Sequence, residues 1–260
     1  MNNRSKTTEK VIWGVVGIGF VFLVWYLGSL SPSMGRLLPN PWDVFRFVGE
    51  SFVKPIGKQT VLGHVYWSLT RVIIGYLLAA VVGILLGLAM SWSKIGEAII
   101  KPFYLMVRPI PAIAWIPLTI LWFGIGENSK YFLIFIGTMS IIMTNTADGV
   151  RGVDSNLLGV ARMLGCKERQ LFMKVVLPSA VPQIFAGLQV GIGVSWATVL
   201  AAEMIGANEG VGWIIIVAQD SCNMTQIFAG IVIIGVVGFT LISLMRGAEA
   251  NLCAWNVRGK

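Results

Sequence analysis

Residues Gly159–Pro182 read GVARMLGCKERQLFMKVVLPSAVP. Leu157, Val160, Ala161 and Leu164 recur at helical spacing, and Gly165 follows where a helix end favours glycine. A second helical stretch is predicted from Glu168 to Val176. It stops before Leu177-Pro178, because proline lacks a backbone donor and clashes with the preceding turn. The segment therefore reads as two short helices joined at Gly165, with mixed basic and apolar surfaces. It is part of Arg151–Pro182, the longest polar stretch between two apolar runs, and those runs set its meaning.

Outward from it, six runs carry no Asp, Glu, Lys or Arg: Val11–Gly35, Val72–Ser93, Pro109–Gly126, Tyr131–Ala147, Val175–Ala202 and Ser221–Met245. Each reaches or nearly reaches the roughly 18 residues expected of a membrane span. The composition agrees: 56% of the 260 residues are hydrophobic and 12% charged, against about 45–50% and 25% in soluble domains. That excludes a disordered chain and argues against a soluble enzyme or a nucleic-acid-binding module. The predicted class is an all-α polytopic membrane protein of six transmembrane helices, at 11–31, 68–93, 107–126, 130–148, 181–203 and 226–246. One domain covers 1–260. A further charge-free gap, Gly210–Gln219, is too short to cross and reads as a re-entrant or interfacial helix.

The net charge of +8 is read as topology. With the N-terminus inside and the helices alternating, 14 Lys and Arg fall on inside segments and 5 on outside ones. Basic residues concentrate on the cytoplasmic side of membrane proteins, so both termini are placed in the cytoplasm, as is 151–180. The 3 cysteines, Cys166, Cys222 and Cys253, are widely spaced and His64 is the single histidine, which provides neither a zinc site nor a disulfide framework. No catalytic constellation stands out. Gly57-Lys58-Gln59-Thr60 lacks the spacing of a phosphate-binding loop, so ATP, if it drives this protein, binds another chain. The cytoplasmic segment itself reads either as a docking helix for a soluble partner or as a juxtamembrane helix on anionic lipid heads.

The spacing Ala161-x3-Gly165-x9-Val175-x-Leu177-Pro178 resembles the EAA loop of ABC-importer permeases, with Gly159, Val160 and Val175 where that motif has Glu, Ala and Ile. More narrowly, the chain is similar to the taurine, aliphatic-sulfonate and nitrate permeases. Leu38-Pro39-Asn40-Pro41, Ser68-Leu69-Thr70-Arg71, Arg108 through Pro117 (RPIPAIAWIP), Trp122 through Gly126 (WFGIG) and Trp196 with Ala201-Ala202-Glu203 carry the likeness over about 36–250. The resemblance implies a type I importer fold in a bacterial inner membrane. Two permease copies would form the pore, and two separate ATPase subunits holding ATP and Mg²⁺ would each take one coupling loop. An extracytoplasmic substrate-binding protein would deliver a small anion or zwitterion: taurine or an alkanesulfonate first, nitrate or a related oxyanion next. It places the ATPase-coupling role on Ala161, Arg162, Gly165, Leu177 and Pro178.

Other residues are weighed on their own chemistry. Pro109, Pro111 and Pro117 cannot all sit in one unbroken helix, and a broken segment either lines a pathway or kinks for packing. Arg108 could attract an anion or snorkel to the lipid boundary. Gln189 and Trp196 lie seven apart, on one helical face, and Ser195 and Thr198 add hydroxyls nearby; these suit a solute path or buried helix–helix hydrogen bonds. Tyr104, Trp92, Trp115 and Trp122 read as interfacial aromatics. Asn40-Pro41-Trp42 opens an amphipathic helix on the outer surface. Gly83–Gly87 and Gly187–Gly191 are GxxxG pairs, for packing within one subunit or between two. Arg71 and Glu203 end apolar runs at one depth and are expected to pair as an outer gate, such that exchanging their charges restores part of the function. The competing readings are an ATP-independent secondary transporter or channel, disfavoured by scarce intramembrane acids and bases, and a structural subunit.

Overall fold

The computed structural model describes the backbone of residues 3–32, 35 and 37–252. The side chains of Arg4, Lys6 and Lys10, and all of Arg36, Cys253, Arg258 and Lys260, lie outside the described residues. The described chain is helical: α1 (Asn3–Ser29), α2 (Pro41–Ser51), α3 (Val61–Trp92), α4 (Lys94–Val107), a 3₁₀ turn (Ala112–Trp115), α5 (Ile116–Phe123), α6 (Glu127–Arg151), α7 (Ser155–Met163), α8 (Glu168–Leu171), a π-helical turn (Phe172–Val176), α9 (Leu177–Gly206), α10 (Val211–Asp220) and α11 (Met224–Leu252). Five helices are long and apolar enough to cross a membrane, and a bent pair, α4 with the 3₁₀ turn and α5, makes six if counted as one span.

The core is a layer in which α6 lies between α3 and α9. Small residues let the backbones close up. A Cβ at Gly83 would sit 2.9 Å from the Met139 carbonyl, one at Gly87 2.7 Å from the Met143 carbonyl, and one at Gly187 2.5 Å from Asn145 Cβ. Both GxxxG pairs are therefore used against α6 inside this chain. Ile134, Ile142 and Val72 are fully buried around that seam. Gly87→Val should lower the unfolding midpoint, at a cost of about 1–3 kcal/mol for overpacking, and Gly14→Val in peripheral α1 should not; thermal unfolding in nanodiscs measures both.

Three sequence expectations are corrected. The third span is not a segment starting at 107. Helix begins at Lys94 on the charged stretch read as a loop, where Ser93 caps it by accepting from the Gly96 N–H at 3.2 Å. The chain then bends by 90° at Arg108–Pro111, because the N–H of Pro109 and of Pro111 is missing. The helix after Gly165 does not stop before Leu177-Pro178. It runs on from Glu168 to Gly206 as one 39-residue stretch. The Leu177 N–H reaches back five residues to the Phe172 carbonyl, and this wider π turn accommodates the ring of Pro178. Finally, α3 starts at Val61, so Arg71 stands well inside a helix rather than one turn from its mouth.

α2 begins with Asn40 accepting from the Trp42 N–H at 3.0 Å and Pro41 in the first turn, the arrangement this sequence favours at a helix start. It packs Val44 inward and joins Phe45 to the rings of Phe22 and Trp25. No residue of the apolar window of α1, Ile12–Ser29, is buried, and Trp25, Gly28 and Ser29 are half-buried.

Candidate functional site

Two places concentrate the chemistry: the loop between α6 and α9, and the end of the bundle where α3, α6, α9 and α10 meet.

The loop starts with Asp154, whose carboxylate accepts from the Asn156 N–H at 2.8 Å and caps α7. α7 ends in a Schellman motif. The Gly165 N–H donates to the Arg162 carbonyl at 2.9 Å and the Cys166 N–H to the Ala161 carbonyl at 3.1 Å. That geometry needs a left-handed residue, and Gly165 has φ +77°. The Ala161-x3-Gly165 spacing thus has a local cause: one residue supplies the motif's final carbonyl and the other its left-handed turn. Ala161 is buried, while Leu157, Val160, Met163 and Leu164 project outward, Met163 with 89% of its surface exposed. Arg162 is exposed and lies 3.5 Å from Glu168. Leu177 packs with Val176, Ala180, Ile184, Val150 and Trp92, fixing the loop to the ends of α3 and α6, and Pro178 is exposed at the start of α9. Trp92 stacks near Phe172, with centroids 5.0 Å apart, so it serves this anchor rather than a lipid interface.

At the other end, Arg71 and Glu203 are brought together: Arg71 Nη1 lies 2.8 Å from Glu203 Oε1, with both side chains buried. Sequence reading missed most of what surrounds them. Glu127, at the start of α6, takes Arg71 Nε and Nη2 in a two-pronged pair at 2.6 and 2.8 Å, and Lys130 Nζ reaches the same carboxylate at 2.7 Å. Arg71 also donates to the Glu209 carbonyl at 2.7 Å. Glu203 is held besides by Ser68 Oγ–H at 2.8 Å and by the Gly212 N–H at 3.0 Å, while the Val211 N–H donates to Ser68 Oγ at 2.9 Å. The buried carboxylate therefore sits at the N-terminus of α10, where helix N–H groups have no helical partner and the dipole favours an anion. Gly210 makes room: it has φ +122°, and a Cβ there would lie 2.3 Å from the Glu203 carboxyl carbon. The Gly210 N–H donates to His64 Nδ1 at 3.1 Å and His64 Nε2–H to the Ile56 carbonyl at 2.9 Å, which assigns a neutral imidazole protonated on Nε2. The one visible signal for Ser68 was its place in Ser68-Leu69-Thr70-Arg71, three residues before the arginine and so on its helical face.

The pathway candidates separate. Arg108 and Pro111 line a cavity of about 410 Å³ beside α6. The other four are spent on packing. Trp196 is buried and donates Nε1–H to the Ile234 carbonyl at 3.1 Å on α11. In the amide orientation that satisfies both neighbours, Gln189 donates to Glu249 at 2.9 Å and accepts from Arg246 at 3.0 Å, also on α11. Ser195 shares a hydrogen bond with Thr138 at 2.8 Å, and Thr198 packs where Gly137 meets the 3₁₀ turn. Gln189 and Trp196 thus share a face that hydrogen-bonds to α11, while Ser195 turns to α6. Trp115 lines the same cavity as Arg108, and Tyr104 hydrogen-bonds Thr144, so neither is a plain interfacial aromatic. Among the described residues no cluster of His, Cys, Asp and Glu could hold a metal ion.

An apolar helical bundle with a buried charge cluster at one end and an ordered amphipathic loop at the other has the architecture of a polytopic membrane protein. The chain belongs to the family described as binding-protein-dependent transport system inner membrane component, whose model matches residues 79–252. It is thus a permease component of an ABC importer, in the inner membrane. The putative aliphatic sulfonates transport permease protein SsuC of Bacillus subtilis is 36% identical over 97% of this chain and 91% of that protein. The taurine transport system permease protein TauC of Escherichia coli is 32% identical over 97% and 93%. The nitrate import permease protein NrtB of Synechocystis is 35% identical over 90% and 86%. Among solved structures, an inward-facing MetNI methionine ABC transporter gives a TM-score of 0.63 at 19% identity, covering 74% of this chain and 94% of that one. An amino acid ABC transporter gives 0.61 at 16% identity, covering 74% and 91%. These two show the fold.

Proposed function

We propose that this chain is the pore-forming subunit for a small sulfonate or oxyanion, with taurine or an alkanesulfonate first and nitrate next. It works as a homodimer above two ATPase subunits and receives solute from an extracytoplasmic binding protein. With six crossings, α1, α3, the α4/α5 pair, α6, α9 and α11, both termini would lie on one side, and the distribution of Lys and Arg supports the cytoplasm. ATP and Mg²⁺ are held by the ATPase chains, not by this one. The substrate class follows the sulfonate, taurine and nitrate permeases that the chain resembles.

The observation that carries the reading is the α7 loop. It is internally satisfied, capped at both ends and anchored at Leu177, yet it presents Val160, Met163 and Leu164 outward. A groove on a soluble partner would bury them. From this loop one continuous helix runs from Glu168 to Glu203, 36 of the 39 residues and so about 54 Å long. Displacement of the loop by the ATPase moves Glu203 with it, against Arg71 on α3 and Glu127 on α6. In this scheme the Arg71–Glu203 pair is an outer gate that stays closed while α9 and α10 hold their present places.

Co-expression with a candidate ATPase and binding protein tests the reading. ATP hydrolysis should be stimulated by taurine-, ethanesulfonate- or nitrate-loaded binding protein, and uptake should follow the same solute. Native mass spectrometry should find two copies of this chain and two of the ATPase. One copy beside a different permease would overturn the homodimer, and uptake with no ATPase would restore the lone-transporter alternative.

A further inference from the structure

The bend at Arg108–Pro111 opens a cavity of about 410 Å³ against the middle and inner part of α6. Ser140, Thr144 and Asn145 contribute polar groups to its lining, and Arg108, Pro111 and Trp115 line it from the bent segment. Gly137 to Asn145 lie ten to eighteen residues along α6, about 15–27 Å from its outer end, so the cavity is at membrane depth.

Arg108 differs from Arg71 in what it meets. Arg71 has two carboxylates. None of the ion pairs among the described residues includes Arg108, whose guanidinium lies 5.8 Å from the centroid of the Tyr104 ring. Tyr104 is itself fixed by its hydroxyl, which hydrogen-bonds Thr144 Oγ1. The ring holds the cation in place without neutralising it. A guanidinium offers planar paired donors that fit an oxyanion, and Arg108 is exposed where it lines the cavity, so those donors are accessible.

We infer that the cavity beside Arg108 is a transmembrane subsite for a singly charged oxyanion group, a sulfonate or nitrate, with Arg108 as the charge contact and the hydroxyl- and amide-lined wall of α6 facing it. The inference rests on the substrate class proposed above and adds the place and the residues. Arg108 is the C-cap residue of α4, directly before the break, and the turn made at Pro109 and Pro111 brings Pro111, Ala112 and Trp115 to the same cavity. Lipid phosphate offers the same chemistry, and the test below separates the two sources.

The experiment uses the transporter with its ATPase and binding protein in membranes, in a Cys166→Ser, Cys222→Ser, Cys253→Ser background carrying Ser140→Cys. An anionic ethyl-sulfonate thiosulfonate reagent and its cationic trimethylammonium counterpart, similar in size, are compared after normalising to a free thiol. The anionic reagent should react about tenfold faster, Arg108→Gln should remove that preference, and Arg108→Lys should retain it. Millimolar ethanesulfonate or nitrate should slow the reaction. In uptake, Arg108→Gln should lose about tenfold in kcat/KM. Equal rates for the two reagents, or a preference that ignores Arg108, would overturn the subsite. So would protection that needs anionic lipid in the vesicles and is absent in neutral ones. Should Arg108→Gln fail to assemble, protection of Ser140→Cys by solute in the otherwise unaltered complex decides alone, its absence refuting the inference. Charge preference together with no import of these solutes by the wild-type complex would refute the proposed substrate and leave the anion subsite standing.

Discussion

Arg71→Ala is expected to abolish uptake and to destabilise the protein by about 3–5 kcal/mol, the cost typical of stripping one partner from a buried ion pair. Removing Arg71 leaves Glu203 fully enclosed, and leaves Glu127 with Lys130 as its remaining cation. Glu203→Ala should cost less than the sum of what it removes, because Arg71 keeps its two-pronged pair with Glu127. It also strips Ser68 and the Gly212 N–H of their acceptor, so α10 should loosen at its start. Glu203→Gln retains an acceptor there and should fall between the wild type and Glu203→Ala. The double mutant should be milder than the two singles added, with a coupling of about 1–3 kcal/mol. Unfolding midpoints in nanodiscs, with uptake alongside, measure the cycle; strict additivity would show that the pair carries no joint energy. Exchanging the charges, expected from sequence to restore part of the function, should not do so. An arginine at 203 would face the Ser68 hydroxyl and the Gly212 N–H, both donors as now arranged, and a glutamate at 71 would face Glu127.

That reversal shows where sequence reasoning ran short. The pairing of Arg71 with Glu203 was legible because a lone charge at the edge of an apolar run needs a counter-charge, although Arg71 stands deeper in its helix than the run suggested. Who else shares that charge was not legible. Glu127 reads as the first residue of a loop boundary, and its two-pronged contact with Arg71 spans 56 residues. The long apolar helices were largely visible in the charge-free runs, and the short apolar helix α10 in the gap at Gly210–Gln219. Helix ends were less so. Pro178 looked like a terminator, yet a π turn absorbs it, which depends on how Leu171, Val176 and Ala180 pack and not on local propensity. The face carrying Gln189 and Trp196 was found correctly as a face, but its use against α11 depends on Ile234, Arg246 and Glu249, some 40 to 60 residues away. Periodicity names a side of a helix; only tertiary neighbours say what that side meets.

Gly165→Val should leave the chain folded and inserted in the membrane while reducing retention of the ATPase at least tenfold and uptake with it. The reason is confined to the backbone. A Cβ at Gly165 would meet nothing within 4 Å, so no clash is involved. The cost is the left-handed φ of +77°, which a β-branched residue adopts poorly, at about 1–3 kcal/mol. The exposed loop can escape that cost by unwinding the Schellman motif, which frees the carbonyls of Ala161 and Arg162 to water and lets Val160, Met163 and Leu164 change their relative positions. The loop's apolar face is then no longer one surface, and a groove shaped for it loses its ligand. Gly165→Asn is the matched control: asparagine enters the left-handed region more readily, so it should keep most of the association. Gly165→Asp should lie between the two, since it adds charge to an apolar face as well as strain. Pull-down of the ATPase from solubilised membranes, scored against the amount of permease recovered, gives the order glycine, asparagine, aspartate, valine. Equal association across the four would show that the Ala161–Gly165 turn is not what the ATPase recognises, and would move the coupling contact to the exposed residues of α8 and the π turn, Arg169 and Met173 among them.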